Sequence, residues 1–476
     1  MKKFDTAVQY LKYKVYREVA RHAFKDDLEN SINDIIKEIV PGPKPSMRCC
    51  IYKERAILGE RIKLATGGNK NIPSVIEVLE IACDECPEGG YTVTHSCRGC
   101  IAHRCASVCR RNAISFDEKQ HAVIDKTKCV ECGMCAKVCP YFAIVNSKRP
   151  CESACKVKAI STNEETRAAK IDYSKCIACG ACVYQCPFGA ISAKSYLLEV
   201  IKILKNKENK HIYAIVAPSI ASQFSYAKLN QVITGLNLLG FDRVVEAALG
   251  ADMVAYEEAK ELRKKGILTS SCCPAFVTYI KKTFPNLSDK ISDNLSPMAT
   301  IAKFIKENDP LAINIFIGPC TAKKAEIREE KVAKYVDSCL TFEELQALFD
   351  AKEINLTELE ESTLDDASYF GRIFARSGGL TDAVAQALKE QNALDFNFKP
   401  ISCDGIEACK LALMKLSRNN LENNFIEGMA CVGGCIGGPC ALTHEVKNKN
   451  DVDKYGMEAK DKTITDSLNS LKKCLK

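Results

Sequence analysis

No stretch of the 476 residues approaches eighteen uninterrupted apolar side chains, so the sequence holds no membrane-spanning helix. A basic tract is missing too. The formal charge of +7 is spread along the chain, which is the look of a solvated surface and not of a nucleic-acid groove. Residues 1–24, MKKFDTAVQYLKYKVYREVARHAF, contain neither an apolar core run nor a small-residue cleavage site. They read as an amphipathic helix, not as a signal peptide, and a cytoplasmic location is expected. An apolar content of 46% is ordinary for a globular protein, and the length allows two to four domains.

Cysteine, by contrast, is abundant, at 28 residues. Secreted disulfide scaffolds are short, whereas this chain is long and gathers its cysteines in triplets and quartets, so metal or iron–sulfur ligation is expected. Four segments share the form Cys-x3-Cys-x3-Ala-Ile, at Cys105/Cys109, Cys135/Cys139, Cys151/Cys155 and Cys182/Cys186. Two of them follow nearly the same phrase, AVIDKTKC (122–129) and AKIDYSKC (169–176). This is a doubled unit of about fifty residues, each unit having two halves.

Cys129-x2-Cys132-x2-Cys135-x3-Cys139-Pro and Cys176-x2-Cys179-x2-Cys182-x3-Cys186-Pro have the spacing of bacterial ferredoxin runs. In such runs three thiolates hold one cubane and the fourth reaches its neighbour. In the first unit Cys97, Cys100 and Cys105 then take Cys139, and Cys129, Cys132 and Cys135 take Cys109. In the second, Cys176, Cys179 and Cys182 take Cys155, leaving Cys151 and Cys186 in need of a Cys-x2-Cys pair. The spare pair is Cys83/Cys86, so the second unit is expected to be completed by residues upstream of the first. Zinc or a structural pair is the alternative at Cys83 and Cys86. Cys49 and Cys50 are expected to be buried free thiols. Five four-iron clusters with their ligands, at roughly −2 each, would bring the total charge to roughly −3.

Three domains are expected: a helical extension over 1–80, tandem 4Fe–4S units over 81–195, and an α/β domain over 205–476. The extension shows apolar spacing at Val8, Leu11, Val15, Val19, Ile32, Ile35 and Ile36, broken by PGPKPSM at 41–47. In the last domain, HIYAIVAP (211–218) and LAINIFIGP (311–319) read as strands followed by helices. Three cysteine loops stand at turns there: Cys272-Cys273-Pro274, Gly318-Pro319-Cys320-Thr-Ala-Lys323, and EGMACVGGCIGGPC over 427–440. Ligands of open α/β sheets gather at such strand ends.

Taken together, these loops resemble the three signature motifs of the [FeFe]-hydrogenase family, in the family's order and behind a ferredoxin-type region. The resemblance runs from about Ile81 to the C-terminus. It implies a two-lobed α/β catalytic domain in which Cys273, Cys320, Cys431 and Cys435 hold the four-iron part of an H-cluster. Cys435 would also bridge to a diiron subsite carrying CO, cyanide and azadithiolate. Pro218, Ser219 and Lys323 would contact the cyanides, with Met429 in the pocket. Of the adjacent thiols, Cys272 would stay free and pass a proton, with Glu258, Ser292 and Glu261 continuing the path outward. On the residues alone, Lys323 is a surface lysine, Met429 ordinary core, Cys272 an inert buried thiol, and Glu258 and Glu261 the solvated face of a helix.

Phe276 stands where the best-known members have tryptophan, Gly318 where they have methionine and Met298 where they have glutamine, and GGPC is less glycine-rich than the family's third motif. These departures point to the group B branch. The implied activity is reversible reduction of protons to H2. It would use four additional 4Fe–4S clusters, a soluble carrier such as ferredoxin, and maturation proteins that insert the diiron part. No nucleic-acid or membrane partner is expected. A hydrogen sensor, an iron–sulfur assembly protein and a pure polyferredoxin are the rival readings.

Overall fold

The computed structural model describes residues 3–87, 89–393 and 395–474. Among them no helix is long and apolar enough to cross a membrane. The larger half holds two parallel sheets. One has four strands, in the order Arg243–Glu246, His211–Val216, Ala312–Gly318, Ser338–Thr341. The other has three, in the order Leu268–Thr269, Phe425–Met429, Pro400–Asp404. Ile212, Ala214, Ile215, Ile315 and Ile317 are fully buried, as expected of parallel strands covered on both faces. The Ala247–Lys265 helix packs on Pro297–Asn308 and Gly379–Glu390 and so stands between the lobes. The two sheets point their strand ends at one place. Pro218, Cys320, Cys272, Cys273 and Cys431 all follow the carboxyl ends of strands.

The iron–sulfur region is a nested pair of small units. In the first, Tyr91–Val93 pairs antiparallel with Ile144–Asn146, enclosing the hairpin Ile114–Phe116/Ala122–Ile124. In the second, the hairpin is Ile160–Thr162/Ala169–Ile171, and the closing strand Ile191–Ala193 pairs with Ile76–Val78. The partner strand thus comes from before the first unit. Residues 76–78, expected within a helical extension, form a strand: the alternating β-branched run Val75-Ile76-Glu77-Val78 is extended, with Ile76 buried against the second unit.

Upstream lie three helices, Ala7–Phe24, Leu28–Ile39 and Ile51–Ala65. The first starts on a capping box: Thr6 Oγ1 accepts from the Gln9 N–H at 3.1 Å, and Gln9 Oε1 accepts from the Thr6 N–H at 3.2 Å. Its Leu11, Val15 and Val19 are buried against the Phe342–Ala351 helix, in the same core as the four-stranded sheet. In the second helix Ile35 is buried, whereas Ile32 is 39% exposed. The extension is therefore part of the main body. Cys49 and Cys50, expected to be buried, are exposed: they lie in the proline-broken loop outside that core, and Cys50 Sγ caps the third helix by accepting from the Lys53 N–H.

Candidate active site

The repeated Cys-x3-Ala spacing has a local cause. In each half-unit the second cysteine accepts a hydrogen bond from the alanine N–H four residues on: Cys109 from Ala113 at 3.3 Å, Cys139 from Ala143 at 3.4 Å, Cys155 from Ala159 at 3.1 Å and Cys186 from Ala190 at 3.2 Å. All four alanines are buried, leaving no room for a larger side chain. Residues with positive φ bracket the middle cysteines, Glu131 and Gly133 around Cys132, and Ala178 and Gly180 around Cys179, turning the backbone about each sulfur.

The sets of thiols can be read from which charges act on which. Cys105 feels Cys100 and Cys139. Cys135 feels Cys129 and Cys132, while the contact seen for Cys109 is the Ala113 N–H. Cys179 feels Cys176 and Cys155, and Cys182 feels all three. Cys151 feels Cys186, Cys83 and Cys86 and shares a core with Cys83 and Cys186. Cys97 Sγ accepts from the Ala122 N–H at 3.5 Å.

In the catalytic half, Cys431 feels Cys320, Cys273 and Cys435, and Cys435 feels Cys320 and Cys273. Burial first, and then these neighbours, push Cys320 up to about 11 and Cys435 up to about 12. Thiolate is the soft donor that iron–sulfur clusters take, and a metal is what lets neighbouring thiols ionise together. Gly433 and Gly434 have φ of +82° and +86°, and a Cβ on Gly434 would meet the Ser377 N and the Ala375 O. That loop closes about its sulfurs only with glycine.

Beside these thiols is a cavity of about 90 Å³, lined by Pro218, Cys272, Met298, Phe316, Lys323, Phe374 and Met429 among others. The Ser219 side chain, next to Pro218, is fully buried and its hydroxyl has no protein partner. Lys323 is no surface lysine: it is 9% exposed, and its ammonium donates to Glu326 Oε2 at 2.6 Å and to the Cys272 carbonyl at 3.4 Å. Glu326 went unnoticed in the sequence, although its i,i+3 position after a lysine at a loop-to-helix turn was a usable signal. A Cβ on Gly318 would strike the Phe316 ring, so phenylalanine occupies the volume left there. Likewise the Phe276 ring lies directly on Gly428.

Cys272 is 8% exposed and lines the cavity. Burial, and then the charge of Glu258, raise its pKa. Glu258 does not sit on a solvated face; it is fully buried. It accepts from the Ser271 N–H at 3.2 Å and hydroxyl at 3.4 Å, and its other oxygen has no partner. Burial pushes this carboxyl up to about 7, partly offset by the Ser271 N–H. Ser292 donates to Glu261 Oε2 at 3.0 Å. Glu261 bonds Asn294 Nδ2 at 2.8 Å and Lys265 at 2.6 Å, and Lys265 meets the exposed Asp293. The groups thus run from the cavity to the surface.

The second unit touches this site directly. Thr321 Oγ1 donates to the Ala178 carbonyl at 2.7 Å, and a Cβ on Gly180 would strike Thr321 and Pro439. Both Cys431 and Cys179 feel thiols across that junction.

The arrangement defines an iron–sulfur protein with a buried thiol-rich pocket between two parallel sheets. Residues 210–439 match the family described as iron only hydrogenase large subunit, C-terminal domain. Residues 96–143 match a 4Fe-4S dicluster domain, and 169–192 a 4Fe-4S binding domain. Iron hydrogenase 1 of Clostridium pasteurianum is 29% identical over 378 residues, covering 68% of this chain and 65% of that one. The periplasmic [Fe] hydrogenase large subunit of Nitratidesulfovibrio vulgaris is 27% identical, covering 75% of this chain and 93% of that one. Cytosolic Fe-S cluster assembly factor NAR1 of Eremothecium gossypii is 32% identical over 161 residues, covering 31% of this chain and 36% of that one. A solved [FeFe]-hydrogenase HydA1 variant from Chlamydomonas reinhardtii superposes with a TM-score of 0.49 at 19% identity, covering 58% of this chain and 93% of that one. Over residues 210–439 the chain belongs to the [FeFe]-hydrogenase family. It spans a little under two thirds of the Clostridium relative's length.

Proposed function

We propose that this protein is an [FeFe]-hydrogenase of the group B branch, catalysing 2H⁺ + 2e⁻ ⇌ H2. The observation that carries the reading is the cavity between the sheets, where four mutually felt thiols, a free thiol and a buried ammonium meet one end of a chain of protonatable groups. Cys273, Cys320, Cys431 and Cys435 would hold the four-iron part of an H-cluster, Cys435 would bridge to the diiron subsite, and that group when bound supplies the hydrogen chemistry itself. The donor set fits it: soft buried thiols, an ammonium for an anionic ligand, an unpartnered Ser219 hydroxyl and an apolar wall from Met298, Phe316, Phe374 and Met429.

The protein's own part is to place protons and electrons. Cys272 holds a proton at its sulfur beside the cavity. Glu258, poised near neutrality, exchanges protons with it, and Ser292 links Glu258 to Glu261 and solvent. Lys323 is held in place by Glu326 and keeps a positive charge at the wall. Electrons come from a soluble carrier, ferredoxin being the natural class, through clusters on the two ferredoxin units, the Cys155/Cys176/Cys179/Cys182 set being the last. Maturation proteins insert the diiron part, and the cytoplasm is the proposed location.

The likeness to NAR1 supports one other reading, an iron–sulfur assembly role. It calls for neither a free thiol at Cys272 nor a proton chain. Infrared spectroscopy of maturated protein, together with an H2 assay, tests the choice. Bands of CO and cyanide with turnover support the hydrogenase; their absence in protein with full iron overturns it.

A further inference from the structure

Two arginines lie beside the cysteine set Cys83, Cys86, Cys151 and Cys186 with no function assigned. Arg149 is 1% exposed. Its Nη1 reaches Cys83 Sγ at 4.0 Å, its Nη2 donates to the Arg167 carbonyl at 2.7 Å, and its Nε has no partner. Arg61 is 6% exposed and comes from the Ile51–Ala65 helix. It donates to the Phe188 and Gly189 carbonyls, both at 2.8 Å, just after Cys186, and its Nε is also unpartnered. Among the described residues neither guanidinium has a carboxylate within ion-pair distance, although six other arginines do. Buried cations without a counter-ion are among the least tolerated features of a folded protein.

The counter-ion has to come from the cysteines. Arg61 has Cys186 as its leading favourable charge, and Cys86 is acted on by Arg149. The other charges nearby are Glu152, which bonds Thr162 at the surface, and Arg48, which is paired with Asp84. The first unit differs: burial acts first on Cys105 and Cys135, then backbone N–H groups and other thiols, with no arginine among the causes.

We propose that Arg61 and Arg149 are the built-in counter-ions of a 4Fe–4S cluster on Cys83, Cys86, Cys151 and Cys186, and that they raise its reduction potential above those of the first unit's clusters. Reduction adds a negative charge to the cluster, and a fixed cation nearby stabilises the more negative state. The electron therefore rests at this cluster, next to the set that adjoins the active site. The helical extension gains a role: it delivers one of the two cations. These are positioning residues, acting on a cofactor through charge. The inference rests on the proposed cluster assignment but not on hydrogen turnover.

The test is an EPR-monitored redox titration of the full-length holoprotein with an iron count, for wild type, R61Q, R61K, R149Q, R149K and C86S. The wild-type signal of this cluster is identified by its loss in C86S. R61Q and R149Q should each make that one cluster at least tenfold harder to reduce at fixed poise, which is about 59 mV for one electron. The lysine variants should retain most of the wild-type midpoint, and the other midpoints should not move. Loss of this cluster's iron in the glutamine variants but not in the lysine variants also supports a requirement for charge. Unchanged midpoints with full iron in both glutamine variants overturn the inference, as do equal losses in glutamine and lysine variants, since a purely structural clamp behaves that way. An unchanged iron count in C86S overturns the cluster assignment and this inference together, whereas unchanged midpoints overturn this inference alone.

Discussion

The two ferredoxin units share a sequence pattern and differ in where they put it. Val130 follows Cys129 in the first and is 56% exposed; its counterpart Ile177 follows Cys176 in the second and is 3% exposed. Phe142 is 81% exposed, while its counterpart Gly189 is wedged between Val8 and Arg61. Cys132 is exposed and its counterpart Cys179 half-buried, and the half-buried Cys135 and Cys139 correspond to the buried Cys182 and Cys186. One cluster-binding pattern thus serves two environments. The first is open to solvent. The second is enclosed by the helical extension on one side and the catalytic loops on the other. Among iron–sulfur centres, burial and local charge are what tune potential, so a duplication placed this way makes unlike centres from like ligands.

The sharpest way to break the comparison is to remove equivalent ligands. Cys179→Ser should lower carrier-driven H2 turnover by about a hundredfold or more, because it lies at the junction with the active site, while Cys132→Ser should cost about tenfold or less. Steady-state assays at matched iron content decide it; equal losses would mean that the units are interchangeable. Next come the packing residues. Ile177→Ala should destabilise by about 3 kcal/mol and Val130→Ala by less than about 0.5 kcal/mol, read from denaturant midpoints.

Buried and exposed carboxylates extend the contrast to pH. Glu258 keeps its proton up to about 7 when folded but ionises near 4.5 when unfolded. The folded state therefore binds more protons between those values, and stability falls as pH rises through the window, by at most about 3 kcal/mol, levelling above pH 7. Glu258→Gln should flatten that part of the stability curve. Asp172 on the second unit, exposed and held down to about 2 by Ser174 and Lys175, leaves the same window untouched. The smallest effect separates two glycines with φ of +74° and +76°. Gly133→Ala presses only on the tip of the Tyr91 side chain, which can swing, whereas Gly180→Ala presses on Thr321 and on the Pro439 ring. Beyond the shared backbone strain, Gly180→Ala should cost about 1 kcal/mol more, measured as a lower Tm.

Much of this architecture could be read from the residues. His211–Val216 and Ala312–Gly318 stood out because buried parallel strands are continuous β-branched runs. The doubled unit stood out because its alanines are as constrained as its cysteines. What stayed hidden has physical reasons. The strand Ile76–Val78 is three residues long and takes its partner from residue 191 onward, so no local pattern announces it. The burial of Glu258 was masked by the charged residues around it on its own helix. Glu326 and the two unpaired arginines are polar side chains whose meaning depends on contacts distant in sequence.

The interleaving of the two units also governs how the chain is made. A polypeptide emerging from the ribosome exposes residues 76–78 first, then the whole of the first unit, and only later the strand at 191–193 that closes the second. The inserted unit has all its strand partners by residue 146, so it can take iron and set before its host is complete. The strand connections thereby let the inserted unit close before its host does.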